Sequence, residues 1–332
     1  MAKKKIKKVL IFGSNSFSAG SYINYILKKN FKVIGCSRSN LNKKHFLRFK
    51  SKNNNFIFFK LDINKDHNKI FRLIDKIKPE YIINFASQSM VQESWYNPVD
   101  WYRTNCLGTI RLYDKLSKLK FKNKLVHIST PEVYGSINKK TYENENYKPS
   151  TPYAASRASV DQFLHMILKN SKIDFSITRS TNVYGECQRI YRIIPKTIIK
   201  ILKKEKIQLH GAGLSKRNFI HIDDVSAAIY KIMTKSKKGS TYHISSNKLI
   251  SIVDLVKKIC KIMNYNPNKL IVITKERTNK DKSYYLSNKK IVNELKWKPN
   301  ISLEKGIART INWINQNLNK FKKYDENYVH QK

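Results

Sequence analysis

Lys8-Val9-Leu10-Ile11-Phe12-Gly13-Ser14-Asn15-Ser16-Phe17-Ser18-Ala19-Gly20-Ser21 is the stretch on which the fold reading turns. An apolar run of strand length stops at a glycine, passes through small and polar residues, and enters a helical pattern over 20–29. Small side chains at such a junction let the backbone turn tightly. They also let it approach a pyrophosphate held at the helix N-terminus, where unpaired N–H groups point outward. Gly13, Asn15, Ser16, Phe17 and Ser18 are the residues placed to touch it. The same alternation repeats downstream: strands are expected at 32–36, 55–61, 81–85, 124–129 and 174–179, and helices at 67–77, 100–119 and 153–168. Strands separated by helices wind as right-handed parallel crossovers, so the fold class is α/β, a doubly wound parallel sheet.

Beyond position 181 the alternation becomes irregular, with helices expected at 194–203, 224–234, 252–263 and 303–319 and short strands at 207–209, 219–221 and 241–245. This predicts a dinucleotide-binding domain over 1–180, a smaller substrate-binding lobe over 181–320, a return of 219–245 to the large domain, and a polar, frayed 321–332.

With 332 residues, 41% of them hydrophobic, the chain can bury a full core. Its net charge of +43 raises nucleic acid as a partner, but 54 of the 66 basic residues are lysines spread from end to end, against 12 arginines. Base-reading surfaces favour arginine forks and aromatic-basic stripes, which are absent, so nucleic acid is not expected. Cys36, Cys106, Cys187 and Cys260 lie far apart, which fits a reducing cytoplasm and neither disulfides nor a metal site. The apolar run after the basic start is too short for a secretion signal, and no run approaches a membrane span.

The second strand decides the cofactor. An enzyme that binds NAD usually ends it with a carboxylate for the ribose hydroxyls. Here it ends Gly35-Cys36-Ser37-Arg38-Ser39, and a guanidinium beside hydroxyls suits a 2′-phosphate. NADP is therefore expected, with NAD as the alternative; Asp62 and Ile63 after the third strand are placed at the adenine.

The chemistry is expected where Ser129-Thr130-Pro131-Glu132-Val133-Tyr134-Gly135, at a strand end, faces Tyr153-Ala154-Ala155-Ser156-Arg157, at a helix start. A hydroxyl, a carboxylate and a phenol with a cation four residues on can move protons beside a nicotinamide.

Five ordered motifs carry a family resemblance along nearly the whole chain. Asn84-Phe85-Ala86-Ser87-Gln88-Ser89 is like N-L-A-A-Q-S, and Asn105-Cys106-Leu107-Gly108-Thr109 matches N-x-x-G-T. Tyr153 with Arg157 occupies Y-x-x-x-K, Arg179 to Gly185 matches R-x-x-N-V-Y-G, and Arg217 to Val225 matches R-x-F-x-x-x-D-D-V. The chain resembles the extended short-chain dehydrogenase/reductases, specifically the nucleoside-diphosphate-sugar 4,6-dehydratases. The resemblance implies a Rossmann-like fold whose G-x-x-G-x-x-G turn reads Gly13, Ser16 and Ala19 here, and a homodimer paired through 100–119 and the Tyr153 helix. It implies cofactor contacts from Ser37, Arg38, Phe85, Ala86, Ser87, Asn105, Ser129, Tyr153 and Arg157, and substrate contacts from Gln88, Ser89, Asn182 and Arg217; Arg189, Arg192 and Arg277 are further substrate candidates, since planar cations suit diphosphate oxygens.

By the family mechanism Tyr153 takes the proton of the sugar 4-hydroxyl, Thr130 holds the 4-oxygen, and Glu132 removes the C5 proton before water is lost across C5 and C6. Arg157 stands for the family lysine, keeping the field without a removable proton. Pro131 stands where glucose-type dehydratases carry an aspartate and mannose-type ones a serine, and it cannot donate a proton. A C4 epimerase or a UDP-glucuronate-type decarboxylase, whose triplet is T-S-E, remains an alternative, as does a non-catalytic nucleotide- or nucleic-acid-binding protein.

Overall fold

The computed structural model describes residues 6–137, 139–168, 171, 173–275 and 283–330. Seven strands form one wholly parallel sheet: β1 (Lys8–Phe12), β2 (Lys32–Ser37), β3 (Phe56–Lys60), β4 (Tyr81–Asn84), β5 (Lys124–Ser129), β6 (Asp174–Ser180) and, after the second lobe has begun, Ser240–Ile244. The intervening strands are β7 (Asn182–Tyr184), β8 (Ile207–His210) and β9 (Lys216–His221), which makes Ser240–Ile244 β10; β11 (Leu249–Ser251) and β12 (Ile271–Thr274) follow. The sheet order is β10-β6-β5-β4-β1-β2-β3. The order reverses between β1 and β4, and there the carboxyl ends of the strands open a crevice for ligand.

Both faces are covered, so β1 is apolar from Val9 to Phe12 and its side chains divide by parity. Val9 and Ile11 join Tyr22, Ile23, Ile229 and Met233 under the helices Phe17–Leu27 and Ile222–Lys235. Leu10 and Phe12 join Ile82, Leu112, Leu125 and Phe175 on the opposite side. A separate core of Ile198, Leu255, Ile259, Leu270, Ile307 and Ile314 fills the second lobe. Among the described residues, no helix is long and apolar enough to cross a membrane.

Three expectations need correction. The strand around 219–221 does not return to the large sheet: β9 pairs with β7 and β11 in a three-stranded sheet, and what returns is β10 with the helix Ile222–Lys235. Hydrophobic pattern sets a strand's faces but not its partners, so this pairing was invisible in the sequence. The helix expected over 100–119 is broken into Pro98–Trp101, a π-helical turn Tyr102–Gly108, and Thr109–Ser117. Finally, 321–330 is not frayed. Phe321 closes the last helix, and the segment after it is bonded back onto both lobes, with Tyr324 at His45 and His330 at Asp100.

An ion cluster ties the loop after β2 to the second lobe. Arg48 and Arg309 both bridge Glu186 and Asp223, and Glu186 also meets His221 at 3.0 Å. Burial would raise the Glu186 carboxyl, but His221 and Arg48 outweigh it and bring it down to about 2.

Candidate active site

At the end of β1 the chain turns through Gly13, whose φ is +70°. A Cβ here would stand 2.5 Å from the Ala86 nitrogen and 2.7 Å from the Phe85 carbonyl carbon, so glycine is required by conformation and by space. The Ser16 hydroxyl caps the helix Phe17–Leu27 by accepting from the Ala19 N–H at 3.2 Å. That fixes the helix N-terminus at the floor of a cleft of 160 Å³, lined by Gly13, Ser16, Ser37, Arg38, Asp62, Ile63, Phe85, Ala86, Ser87 and Gln88 among others. A larger surface depression of 600 Å³ lies beside Tyr25, Lys231 and Trp297. Size does not choose between them; the smaller one is lined by the Gly13 cradle and the Ser16 cap at the end of β1, the switch point of the sheet.

Three residues expected at the cofactor use their side chains elsewhere. Asn15 donates to the Ser39 and Asn40 carbonyls at 3.1 and 2.7 Å and so holds the loop after β2. Asn105, on the π-helical turn, clasps the Gln88 backbone, accepting from its N–H at 2.7 Å and donating to its carbonyl at 3.0 Å. Ser129 donates inward to Asp161 at 2.7 Å. Asn105 and Asn15 shape the walls of the cleft instead of facing into it.

Tyr153 enters on the helix Pro152–Phe163, started by Pro152 and capped by the Thr151 hydroxyl, which accepts from the Ala154 N–H at 3.1 Å. The Tyr153 N–H is in turn held by the Ser94 hydroxyl at 3.1 Å. Glu132 rides a 3-10 turn, Pro131–Tyr134, for which proline at the first position is preorganised. The Tyr153 phenol is hydrogen-bonded to Thr130 and lies within the field of the Glu132 carboxylate. Burial first, then Glu132, push its pKa up to about 12, while Arg157, the Thr130 bond and Arg192 pull the other way.

Arg157 is 2% exposed. One guanidinium nitrogen, Nη2, donates to the Ile128 carbonyl and meets His127 Nε2 at 3.3 Å. Nε and Nη1 are buried with no hydrogen-bond partner among the described residues. Three charged N–H bonds left unsatisfied in a buried site are costly. Their presence beside Tyr153 fits acceptor oxygens of a bound ligand, such as ribose hydroxyls.

Behind Arg157 lies a buried network that the sequence reading missed. Asp161 Oδ2 accepts from Arg179 Nη2 at 2.9 Å and from Ser129, and His127 stands 3.4 Å from Oδ1. Arg179 also donates to Tyr134 and, at 2.9 Å, to Tyr147. Burial alone would raise the Asp161 carboxyl, but Arg179, His127 and Ser129 hold it well below the usual range. Burial drives His127 down to about 4, so it is neutral. The available signal was Asp161 four residues after Arg157, one helical turn along the same face.

The substrate-side candidates are dispersed. Gln88 is buried, and Ser89 accepts from Arg192 at 3.2 Å, which brings the second lobe to the cleft. Asn182 opens β7. Arg217 lies over the Tyr284 ring, 5.0 Å from its centre. Arg189 instead bonds Asn42 at 2.9 Å and covers Phe46, so it closes the loop after β2. Arg277 lies outside the described residues.

The family model described as GDP-mannose 4,6 dehydratase matches residues 10–310. The chain belongs to that family. Among its relatives, the human dTDP-D-glucose 4,6-dehydratase is 29% identical over 96% of this chain and 93% of that protein. The one from Dictyostelium discoideum is 31% identical over 95% and 83%. Of solved structures, a dTDP-glucose 4,6-dehydratase from Streptomyces venezuelae with NAD bound superposes with a TM-score of 0.88 at 26% identity, over 94% of this chain and 98% of that one. The UDP-glucose 4-epimerase from Thermotoga maritima gives 0.86 at 25%, over 94% and 99%. A dehydratase and a 4-epimerase therefore both share this scaffold, and the side chains at the cleft must separate the two chemistries.

Proposed function

We propose that the chain is a nucleoside-diphosphate-sugar 4,6-dehydratase, converting a hexose into its 4-keto-6-deoxy form. The observation that carries this is the convergence of Thr130 and Glu132 on the Tyr153 phenol. A C4 epimerase needs the hydroxyl and the phenol but no carboxylate at the ring. When bound, an oxidised nicotinamide dinucleotide would accept a hydride from C4 and return it to C6.

This chain's residues move the protons. Tyr153 takes the 4-hydroxyl proton as its phenolate, an ionisation that the Arg157 guanidinium favours and that the positive charge of a bound oxidised nicotinamide would favour further against burial and Glu132, with Thr130 orienting it. The resulting 4-ketone acidifies C5–H, and Glu132 removes that proton. Pro131 offers no acid, so Glu132 hands the proton to the departing 6-hydroxyl, which leaves as water; once the hydride is back at C6, C5 is reprotonated, which balances the proton that Tyr153 took from the 4-hydroxyl and leaves both groups as they began. Incubation with a panel of dTDP-, GDP-, UDP- and CDP-hexoses should give one product lighter by one water; turnover of none would overturn the proposal.

The cofactor reading is NADP. Arg38 is exposed at the end of β2, on the wall of the cleft, and no carboxylate closes that strand. Equilibrium titration should show NADPH bound about tenfold more tightly than NADH, with Arg38→Ala removing the preference. NADH bound tenfold tighter would favour the alternative, NAD, which the Streptomyces relative holds.

The assembly reading is a homodimer. Tyr96, Val99, Leu107, Met166 and Ile167 are 45–72% exposed. They lie on segments flanking the helix Pro152–Phe163, where an apolar face of this kind marks a protein contact. Sedimentation should find a dimer, and Val99→Glu with Leu107→Glu should split it; a monomeric wild type would refute this.

A further inference from the structure

The segment after the last helix alternates in burial. Tyr324, Glu326, Tyr328 and His330 are partly buried, while Lys323, Asp325, Asn327 and Val329 are exposed. Alternate residues facing inward are the mark of an extended chain laid on a surface. Six extended residue steps reach at most about 20 Å, enough to cross from one lobe to the other.

Each inward residue has a partner, and the partners belong to different parts of the molecule. The Tyr324 hydroxyl meets His45 Nε2 at 2.8 Å, in the loop after β2. Glu326 bridges Lys200 at 2.9 Å and Lys203 at 2.5 Å, at the end of the helix Ile193–Leu202 in the second lobe. Tyr328 packs edge-on against Tyr191, with ring centres 5.4 Å apart. His330 Nε2 meets Asp100 Oδ2 at 2.9 Å, and its ring stacks on Trp101 at 5.1 Å, in the large domain.

The middle of this span lies by the cleft. Tyr328 packs on Tyr191, whose neighbour Arg192 bonds Ser89, next to Gln88 on the cleft wall, and His330 holds Asp100, four residues before Thr104 on the same wall. Arg38 lines the same cleft and its charge also acts on the Tyr328 hydroxyl, while the Arg192 charge acts on both Tyr328 and Tyr153. A dinucleotide extending from Arg38 to Tyr153 would therefore pass beside Tyr328.

We propose that Tyr324–His330 is a strap across the mouth of the dinucleotide cleft and that Tyr328 and His330 set how fast the cofactor leaves. The inference rests on the cofactor reading above. Retention suits the chemistry: a hydride taken from C4 and returned to C6 leaves the dinucleotide unchanged each turn, so it has no need to exchange.

The test is the dissociation rate of bound NADP⁺ and of NAD⁺, chased with excess ADP-ribose, in the wild type, Tyr328→Ala and His330→Ala, with melting temperatures measured beside it. The two sites differ: Tyr328→Ala removes the wall, whereas His330→Ala releases only the distal anchor. Both are expected to speed release about tenfold, the loss of one hydrogen-bonded or stacked contact, with melting temperatures close to wild type. Unchanged release in both variants would overturn the strap while leaving the cofactor site in place. A wild type that binds neither dinucleotide would overturn both readings.

Discussion

Glu132→Gln should abolish water loss from the sugar nucleotide, by roughly 10²–10⁴-fold, the contribution of a positioned acid–base group. The amide has nearly the same shape and cannot take the C5 proton. Binding of the nucleotide sugar should change little, because the loss falls on the proton transfer. A second signature follows from the electrostatics. The Glu132 charge is the second cause, after burial, that raises the Tyr153 phenol. Removing it should bring the tyrosine's titration down, read from the phenolate ultraviolet band in Tyr153-dependent difference spectra. A variant that forms the dehydrated product within tenfold of the wild-type rate would remove Glu132 from the mechanism, and indifference to the substitution would point to an epimerase.

Asp161→Asn should cost about 3–5 kcal/mol of folding stability, the usual consequence of leaving a buried guanidinium without its counter-charge. Arg179 is fully buried and Asp161 holds it through two bonds, at 3.2 and 2.9 Å. The pH dependence has a definite sign. Asp161 is depressed in the folded chain, so its contribution is complete above the unfolded carboxyl value of about 3.9 and is lost as pH falls toward the lower folded value. Denaturant titrations should therefore show the wild type losing stability below about pH 4 by an amount that the Asn variant lacks. A variant within about 1 kcal/mol of wild type would mean that Arg179 finds other compensation.

The doubly wound sheet was legible because its determinants are local. Apolar runs bounded by Gly13 and by polar turns announce buried parallel strands, and the motif spacing places Thr130, Glu132 and Tyr153 at strand end and helix start. What was not legible is direction. Asn15, Asn105 and Ser129 occupy the motif positions, yet each points its polar atoms into the protein, satisfying backbone or carboxylate groups that a sequence motif does not display. Long-range pairing was equally hidden, as in β9 with β7 and β11, and in the π-helical turn that lets Asn105 reach Gln88. The segment 321–330 reads as polar in composition, and its alternation of Tyr324, Glu326, Tyr328 and His330 becomes meaningful only once a surface lies beneath it.

The decisive measurement follows an isotope. Nucleoside-diphosphate hexose carrying deuterium at C4 is turned over in ordinary water, and the product is read by mass and proton resonance. A 4,6-dehydratase should deliver the label to the new C6 methyl group of the same molecule. Deuterium found still at C4 of an intact hexose would contradict the account in which Thr130, Glu132 and Tyr153 act on one sugar ring.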